Sequence, residues 1–350
     1  MQLPKNLPSP VGLSREEILD ILFCEEYGYP PPPPASVTAE VTRTERYYFG
    51  QKADVLHLSL TVSGDFGAYS VPFRYVRLSK TETPAPAFIH LAFNRNVCDR
   101  FQATEEILDG GFHLFSINYD DITVDDGHFT EGDFTDGIAA CFYPDGKRTE
   151  TGAGKLLLWA WCASALLTYV RTLPEVDPDC ISVIGHSRLG KTALLAGALD
   201  PRFFCAISND SGASGAALSR EKTGETVKAI YEHFPFWFCK NYEKYADNED
   251  ALPFDQHYLL AANATHRVYV GSGSTDKTAC PENEYLSCVA VTPYFESVGK
   301  RGLVAPDRMP EVGERFHEGH VGYHLREGAH FLSRFDWQNY MAYILRHRGK

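Results

Sequence analysis

Polar and apolar residues alternate through the early part of the chain, and farther along the apolar ones gather into unbroken runs. Residues 36–41, 55–62 and 69–76 carry the period-two pattern of antiparallel strands with one solvated face. From residue 87 the pattern changes. The runs 87–93 and 112–117 are short and almost wholly apolar, with a helix-like stretch at 104–108 between them, as expected of buried parallel strands joined by crossover helices. A long helix is predicted over 154–172, with Trp159 and Trp161 in it. Strands at 180–184, 204–209 and 268–272 follow, with a helix over 189–199, and 319–323 leads toward the last strand before a closing helix at 336–346. Ahead of the sheet, 14–23 reads as a short helix capped by Ser14 in front of Glu16 and Glu17, and Pro30 to Pro34 as a rigid strap. Residues 214–260 show no clear strand and much aromatic content, and read as a helical insertion walling a cleft.

The junction at 183–191, Val-Ile-Gly-His-Ser-Arg-Leu-Gly-Lys, joins an apolar strand to a helix through a tight turn with Ser187 at its apex. That is how an α/β-hydrolase presents a nucleophile: the hydroxyl projects from the sheet, and the helix N-terminus offers N–H groups to a developing oxyanion. The second glycine, Gly190, falls one position later than in the usual Gly-x-Ser-x-Gly, and Gly-x-Ser alone more often marks a capping serine. With the pattern above, the turn predicts a three-layer αβα α/β-hydrolase over residues 1–350. Its central sheet is mostly parallel, with antiparallel strands at the N-terminal side.

A serine hydroxyl needs a base, and in this fold the chain order is Ser, acid, His. His330, in the Gly-containing loop Arg326-Glu-Gly-Ala-His-Phe before the last helix, holds the expected place; His317, His320 and His324 are the other late candidates. For the acid, Asp276 ends the loop after the strand at 268–272, and Asp210 does the same one strand earlier. Asp276 is favoured, Asp210 is a rival, and both can contribute.

Composition narrows the partners. A net charge of −13 over 350 residues argues against wrapping nucleic acid or lying on an acidic membrane face. No run of about 18 apolar residues suggests a membrane span. Nine scattered cysteines, an odd number without a C-x-x-C pair, fit reduced thiols and support neither a disulfide framework nor a zinc site. The first residues lack the apolar segment of a signal peptide, which points to the cytoplasm unless a leader has been removed.

With these residues located, the chain resembles carbohydrate esterase family 15, the glucuronoyl esterases, from about residue 27 to 343. The likeness is densest at 177–203, 208–220, Gly224-Glu225, 252–257 and 322–330. Its Gly-x-Ser-Arg-x-Gly-Lys signature accounts for the late glycine, because the family places arginine straight after the nucleophile. The resemblance implies an α/β-hydrolase that cleaves uronic-acid esters through an acyl-enzyme and needs no metal or organic cofactor. It implies Arg188 beside the oxyanion, and Lys191 and Glu225 on sugar hydroxyls. Bacterial members commonly carry tryptophan two residues after the Asp276 position; this chain has Thr278, so either Trp237 or a nearby tyrosine supplies an aromatic wall instead or the substrate differs from a 4-O-methylglucuronoyl ester. The expected partner is a small carbohydrate ester. An acetyl or other small-acyl carbohydrate esterase, and a non-catalytic carbohydrate-binding relative, are the alternatives.

Overall fold

The computed structural model describes residues 2–81 and 83–349. The alternating segments become β1 (Ser36–Tyr47), β2 (Ala53–Gly64) and β3 (Gly67–Leu78), an antiparallel meander. The apolar runs become β4 (Ala85–Ala92), β5 (His113–Asn118), β6 (Val176–His186), β7 (Cys205–Asn209), β8 (Arg267–Gly273) and β10 (Val321–Arg326), all parallel to their neighbours in that set. One ten-stranded sheet results, in the order β1-β2-β3-β5-β4-β6-β7-β8-β10, with the two-residue β9 (Arg315–Phe316) antiparallel at the far edge. β9 is too short to leave a period in the sequence. β1 closes the opposite edge with a largely exposed strand rich in Thr, Glu and Arg, which discourages further pairing.

Successive residues of a strand point to opposite faces, so each parallel strand feeds two cores. In β6, Ile181 and Val183 pack with the helices Lys155–Val170 and Arg188–Leu199, whereas Cys180 and Ile184 pack with Thr104–Asp109 and Arg334–His347. This is the three-layer arrangement expected from the sequence. The helix predicted from 154 begins at Lys155, because Gly154 lies against the backbone of the insertion; a Cβ there would stand 2.1 Å from the Trp237 carbonyl oxygen. The insertion is a chain of short pieces, from Val227–His233 through 3₁₀ turns to His257–Ala262. The helix Pro281–Ala290 was not foreseen.

The N-terminal helix is Arg15–Leu22, with Ser14 and Glu17 forming a capping box. The strap behind it is tied down by the Trp161 indole, which donates to the Pro32 carbonyl at 3.1 Å. Just ahead of the strap, Glu26 is fully buried, and the Gln256 amide donates to its two oxygens at 2.9 and 3.1 Å. The Tyr27 hydroxyl bonds to the Ser214 carbonyl and to Gln256, and Ser214 Oγ lies 2.9 Å from the Tyr242 hydroxyl. This polar knot fastens the N-terminal segment to the insertion.

Burial pushes the Glu26 carboxyl up to about 7, against the pull of Gln256. A carboxyl raised by folding gives its full stability below the unfolded value of 4.5, and that stability drains away as pH rises through about 7. In Glu26→Gln this titration is gone, so the melting temperature of the variant relative to the parent chain is expected to rise by about 5 °C between about pH 4 and about pH 8, as read by thermal denaturation across pH.

Candidate active site

β6 passes into the helix Arg188–Leu199 through a single residue, Ser187, at φ 58° and ψ −128°. A side-chain-bearing residue is strained there and persists only where its surroundings over-determine it. They do. The Ser187 N–H donates to the Asn209 carbonyl at 2.9 Å, and the Gly190 N–H donates to the Ser187 carbonyl at 2.8 Å. A Cβ on Gly185 would stand 2.0 Å from the Leu189 carbonyl oxygen, and one on Gly190 3.0 Å from Ser211 Cβ. The two glycines let strand, helix and the loop after β7 close together, and Gly190 serves the last of these contacts from its late position.

The parallel register brings the other residues to the same end of the sheet. Gly185 lies opposite Ser208, and Gly273 opposite Arg326, so the loops after β6, β7, β8 and β10 converge beyond the strand C-termini. There His330 Nδ1 is 2.5 Å from Asp276 Oδ2. His330 and Ser187 line one cavity of about 570 Å³, with Arg188 and His186. Burial raises the Asp276 carboxyl, but the His330 hydrogen bond and the Ala279 N–H outweigh it and hold it below the ordinary aspartate range.

Asp210 is used differently. It pairs with Arg326 at 2.7 Å and accepts from the Gly273 and Phe331 N–H groups at 2.6 and 3.2 Å. Arg326 also donates to the Ala329 and Phe331 carbonyls and to Asp336, which in turn bonds His324 at 2.8 Å. Asp210 thus ties down the loop that carries His330, and His324 belongs to the same scaffold. Burial and the nearby Glu284 raise the Asp210 carboxyl against the pull of Arg326. Asp210, Asp276 and His330 are the one metal-ligand-type group found among the described residues, within 4.8 Å of one another. The Arg326 guanidinium on Asp210 disfavours a cation there.

Arg188 stands at the first helical position, where the dipole opposes a cation, and an anion does face it. Its guanidinium pairs with Asp125, whose side chain is 3% exposed and whose other oxygen accepts the Trp237 indole N–H at 2.7 Å. The guanidinium carbon also lies 4.8 Å from the Trp237 ring centre and 5.2 Å from that of Phe234. The Arg188 Nε is buried without a partner. Trp237 is buried and does not line this cavity; its indole is engaged with Asp125, beside Arg188. Thr278 is exposed, with the Lys222 ammonium on its carbonyl at 3.1 Å.

Lys191 is likewise buried, its ammonium on the Ser211 carbonyl, and burial pushes it down to about 8 while the charge of the half-buried Glu225 opposes that. Three parts of the site escaped the sequence. His186, between glycine and serine, has its ring 4.5 Å from that of His330 and its Nδ1 2.7 Å from Asn209 Oδ1; burial, then His330, push it down to about 3, so it stays neutral. Asp125 sits in a run of aspartates with no period to single it out. The segment 93–101 supplies most of the cavity wall, including Phe93, Asn94, Asn96, Arg100 and Phe101. Its one available signal was position, directly after β4, where this fold draws an oxyanion-hole N–H.

A strained hydroxyl, an imidazole oriented by an ionised carboxylate, and a cation beside helix N–H groups make an arrangement suited to acyl transfer. Known proteins agree. A family model described as "Glucuronyl esterase, fungi" matches residues 74–299. The chain is 41% identical over 215 residues to the carbohydrate esterase MZ0003 of an unknown prokaryotic organism, covering 61% of this chain and 49% of that one. It is 28% identical over 271 residues to a 4-O-methyl-glucuronoyl methylesterase of Podospora anserina, covering 73% and 50%. The chain therefore spans about half the length of these curated relatives. A solved glucuronoyl esterase from Solibacter usitatus superimposes with a TM-score of 0.88 at 30% identity, covering 100% of this chain and 98% of that one.

Asp125→Asn keeps the shape of the carboxylate and removes its charge, so Arg188 loses its anchor. Fluorophosphonate labelling of Ser187, which passes through an anionic phosphoryl centre, is expected to slow about ten-fold as followed by intact mass; an unchanged rate would refute a role for Asp125 in holding Arg188.

Proposed function

This chain belongs to the glucuronyl esterase family, and from that membership we propose that it is a serine carboxylic-ester hydrolase that cleaves esters of glucuronic acid, 4-O-methylated or not, in xylan or lignin–carbohydrate fragments. The observation that carries the proposal is the His330–Asp276 hydrogen bond at the cavity that Ser187 enters from its strained turn.

Ser187 Oγ attacks the ester carbonyl while His330 Nε2 takes its proton. The Asp276 hydrogen bond at Nδ1 fixes the tautomer and steadies the imidazolium that forms. The negative charge that grows on the carbonyl oxygen meets the Arg188 backbone N–H, at a helix start where no intrahelical acceptor exists, and the Arg188 guanidinium. His330 returns the proton to the departing alcohol, then activates the water that releases the uronate. Asp210 acts through Arg326, positioning the His330 loop. Lys191 and Glu225 meet the sugar hydroxyls, Lys191 after turning from the Ser211 carbonyl. The 4-O-methyl-glucuronoyl methylesterase and glucuronoyl esterase relatives support the uronate as the acyl group. The scattered, odd-numbered cysteines without a C-x-x-C pair support a reducing, cytoplasmic setting for the chain. No helix among the described residues is long and apolar enough to cross a membrane.

Ser187→Ala is expected to lose about 10⁴-fold or more in kcat/KM on benzyl glucuronate with the fold retained by circular dichroism, and Asp276→Asn about 10⁴-fold. Asp210→Asn is expected to lower the melting temperature as well as the rate. Turnover surviving in Ser187→Ala would sink the proposal. Faster cleavage of acetylated xylo-oligosaccharides or nitrophenyl acetate than of benzyl glucuronate would move the enzyme to the small-acyl esterases.

A further inference from the structure

Phe129 leaves 70% of its surface exposed, and its backbone sits at φ 62°. A bulky residue in the left-handed region is an outlier, and an exposed phenyl contributes little to burial. Folding alone would favour glycine or asparagine at this point. The loop is nonetheless held shut. The Phe129 N–H donates to the His233 carbonyl at 2.9 Å, a Cβ on Gly127 would stand 2.2 Å from Gly132 Cα, and one on Gly132 2.7 Å from Phe236 Cβ. A strained, rigid and solvent-facing aromatic ring is the form a recognition surface takes.

The ring is also connected to the active site. Phe129 lies edge-on to His233 with centres 4.1 Å apart, His233 is 4.2 Å from Phe234, and Phe234 stacks flat on Trp237 at 3.8 Å. The centres of those last two rings lie 5.2 and 4.8 Å from the guanidinium carbon of Arg188, the residue after Ser187. A line of rings therefore leads outward from the nucleophile to Phe129. His128 Nδ1 bonds His233 Nε2 at 3.1 Å, which sets two imidazole edges alongside the phenyl.

We propose that Phe129 and His233 form a carbohydrate subsite that receives the apolar face of a neutral pyranose in the glycan attached to the scissile uronate. Sugar C–H groups stack on the rings, and the imidazole edges meet hydroxyls. The carboxylates of this loop, Glu131 and Asp126, already hold Arg148 at 3.7 Å and Lys155 at 2.5 Å, so both cations are engaged and the surface suits an uncharged sugar. Phe129 is not among the residues lining the cavity at Ser187, so the subsite serves substrates longer than a monosaccharide ester. It rests on the uronate-ester reading given above.

The test compares benzyl glucuronate with the benzyl ester of a glucuronoyl xylotriose. In the parent chain the longer ester is expected to have the lower KM. Phe129→Ala should raise that KM about five- to ten-fold, leaving kcat and the short ester unchanged. Phe129→Asn, which tolerates the left-handed backbone, should melt no lower than the parent and lose the same preference, so a structural role is distinguishable. An unchanged KM for the longer ester in both variants overturns the subsite. So does a KM rise on benzyl glucuronate that methyl glucuronate does not share, which would assign the ring to the departing alcohol. A parent chain inert toward both benzyl esters would overturn the uronate reading and the subsite with it.

Discussion

The left-handed backbone of Ser187 can exist only because three segments close on it at once. The strand before it supplies Gly185, which lets the Leu189 carbonyl approach; the helix after it supplies Gly190, which lets the loop beyond β7 approach. The neighbouring strand supplies the Asn209 carbonyl that receives the Ser187 N–H. Any one contact alone would leave the turn free to relax into an ordinary cap. Together they spend tertiary packing on holding one hydroxyl clear of the sheet, which is how a site stores local strain. The same parallel register that sets β7 beside β6 then delivers Asp210, Asp276 and His330 to the same edge.

Around that hydroxyl, charge is sorted by environment. Two carboxylates lie within reach of His330, yet they are pushed in opposite directions: Asp276 downward by its bond to the imidazole, Asp210 upward by burial beside Glu284. The split separates their tasks, one stabilising a developing imidazolium and the other bracing a loop through Arg326. His186 packs at a tilt against His330 but remains neutral, so it contributes shape beside the base without a competing charge.

Much of this was legible in the sequence because it is local or follows the strand order. The Gly-His-Ser turn, the His330 loop and the Asp276 loop each carry their signal within a few residues of a strand end. The switch from alternating to continuous apolar segments told the antiparallel edge from the parallel centre. What stayed hidden depends on contacts between distant segments. Asp125 matters because Trp237, 112 residues away, and Arg188, 63 away, both donate to it. Trp237 looked like a free aromatic wall since composition cannot say that its indole is already engaged. Lys191 lies one turn from Ser187, but the contact of its ammonium with the Ser211 carbonyl depends on how the loop after β7 folds back. Helix Pro281–Ala290 begins at Cys280 in a left-handed conformation, a start that no cap residue announces.

The Asp125 partner also resolves a tension in placing a guanidinium beside an ester-cleaving serine. The proposed product is a carboxylate, and an unpaired arginine in a partly dry cleft would bind it strongly, slowing release. With Asp125 neutralising one edge, the resting pair has little net charge, so its attraction for a free anion is modest. The Arg188 backbone N–H at the helix start still offers a fixed donor to charge that appears within hydrogen-bond range. Short-range donation favours the oxyanion of the transition state, and long-range attraction, which would favour the product, is cancelled. A neutralised arginine at a helix start is thus better suited to turnover than a bare one. The cost of holding it there against the helix dipole is carried by the buried Asp125–Trp237 hydrogen bond rather than by the substrate.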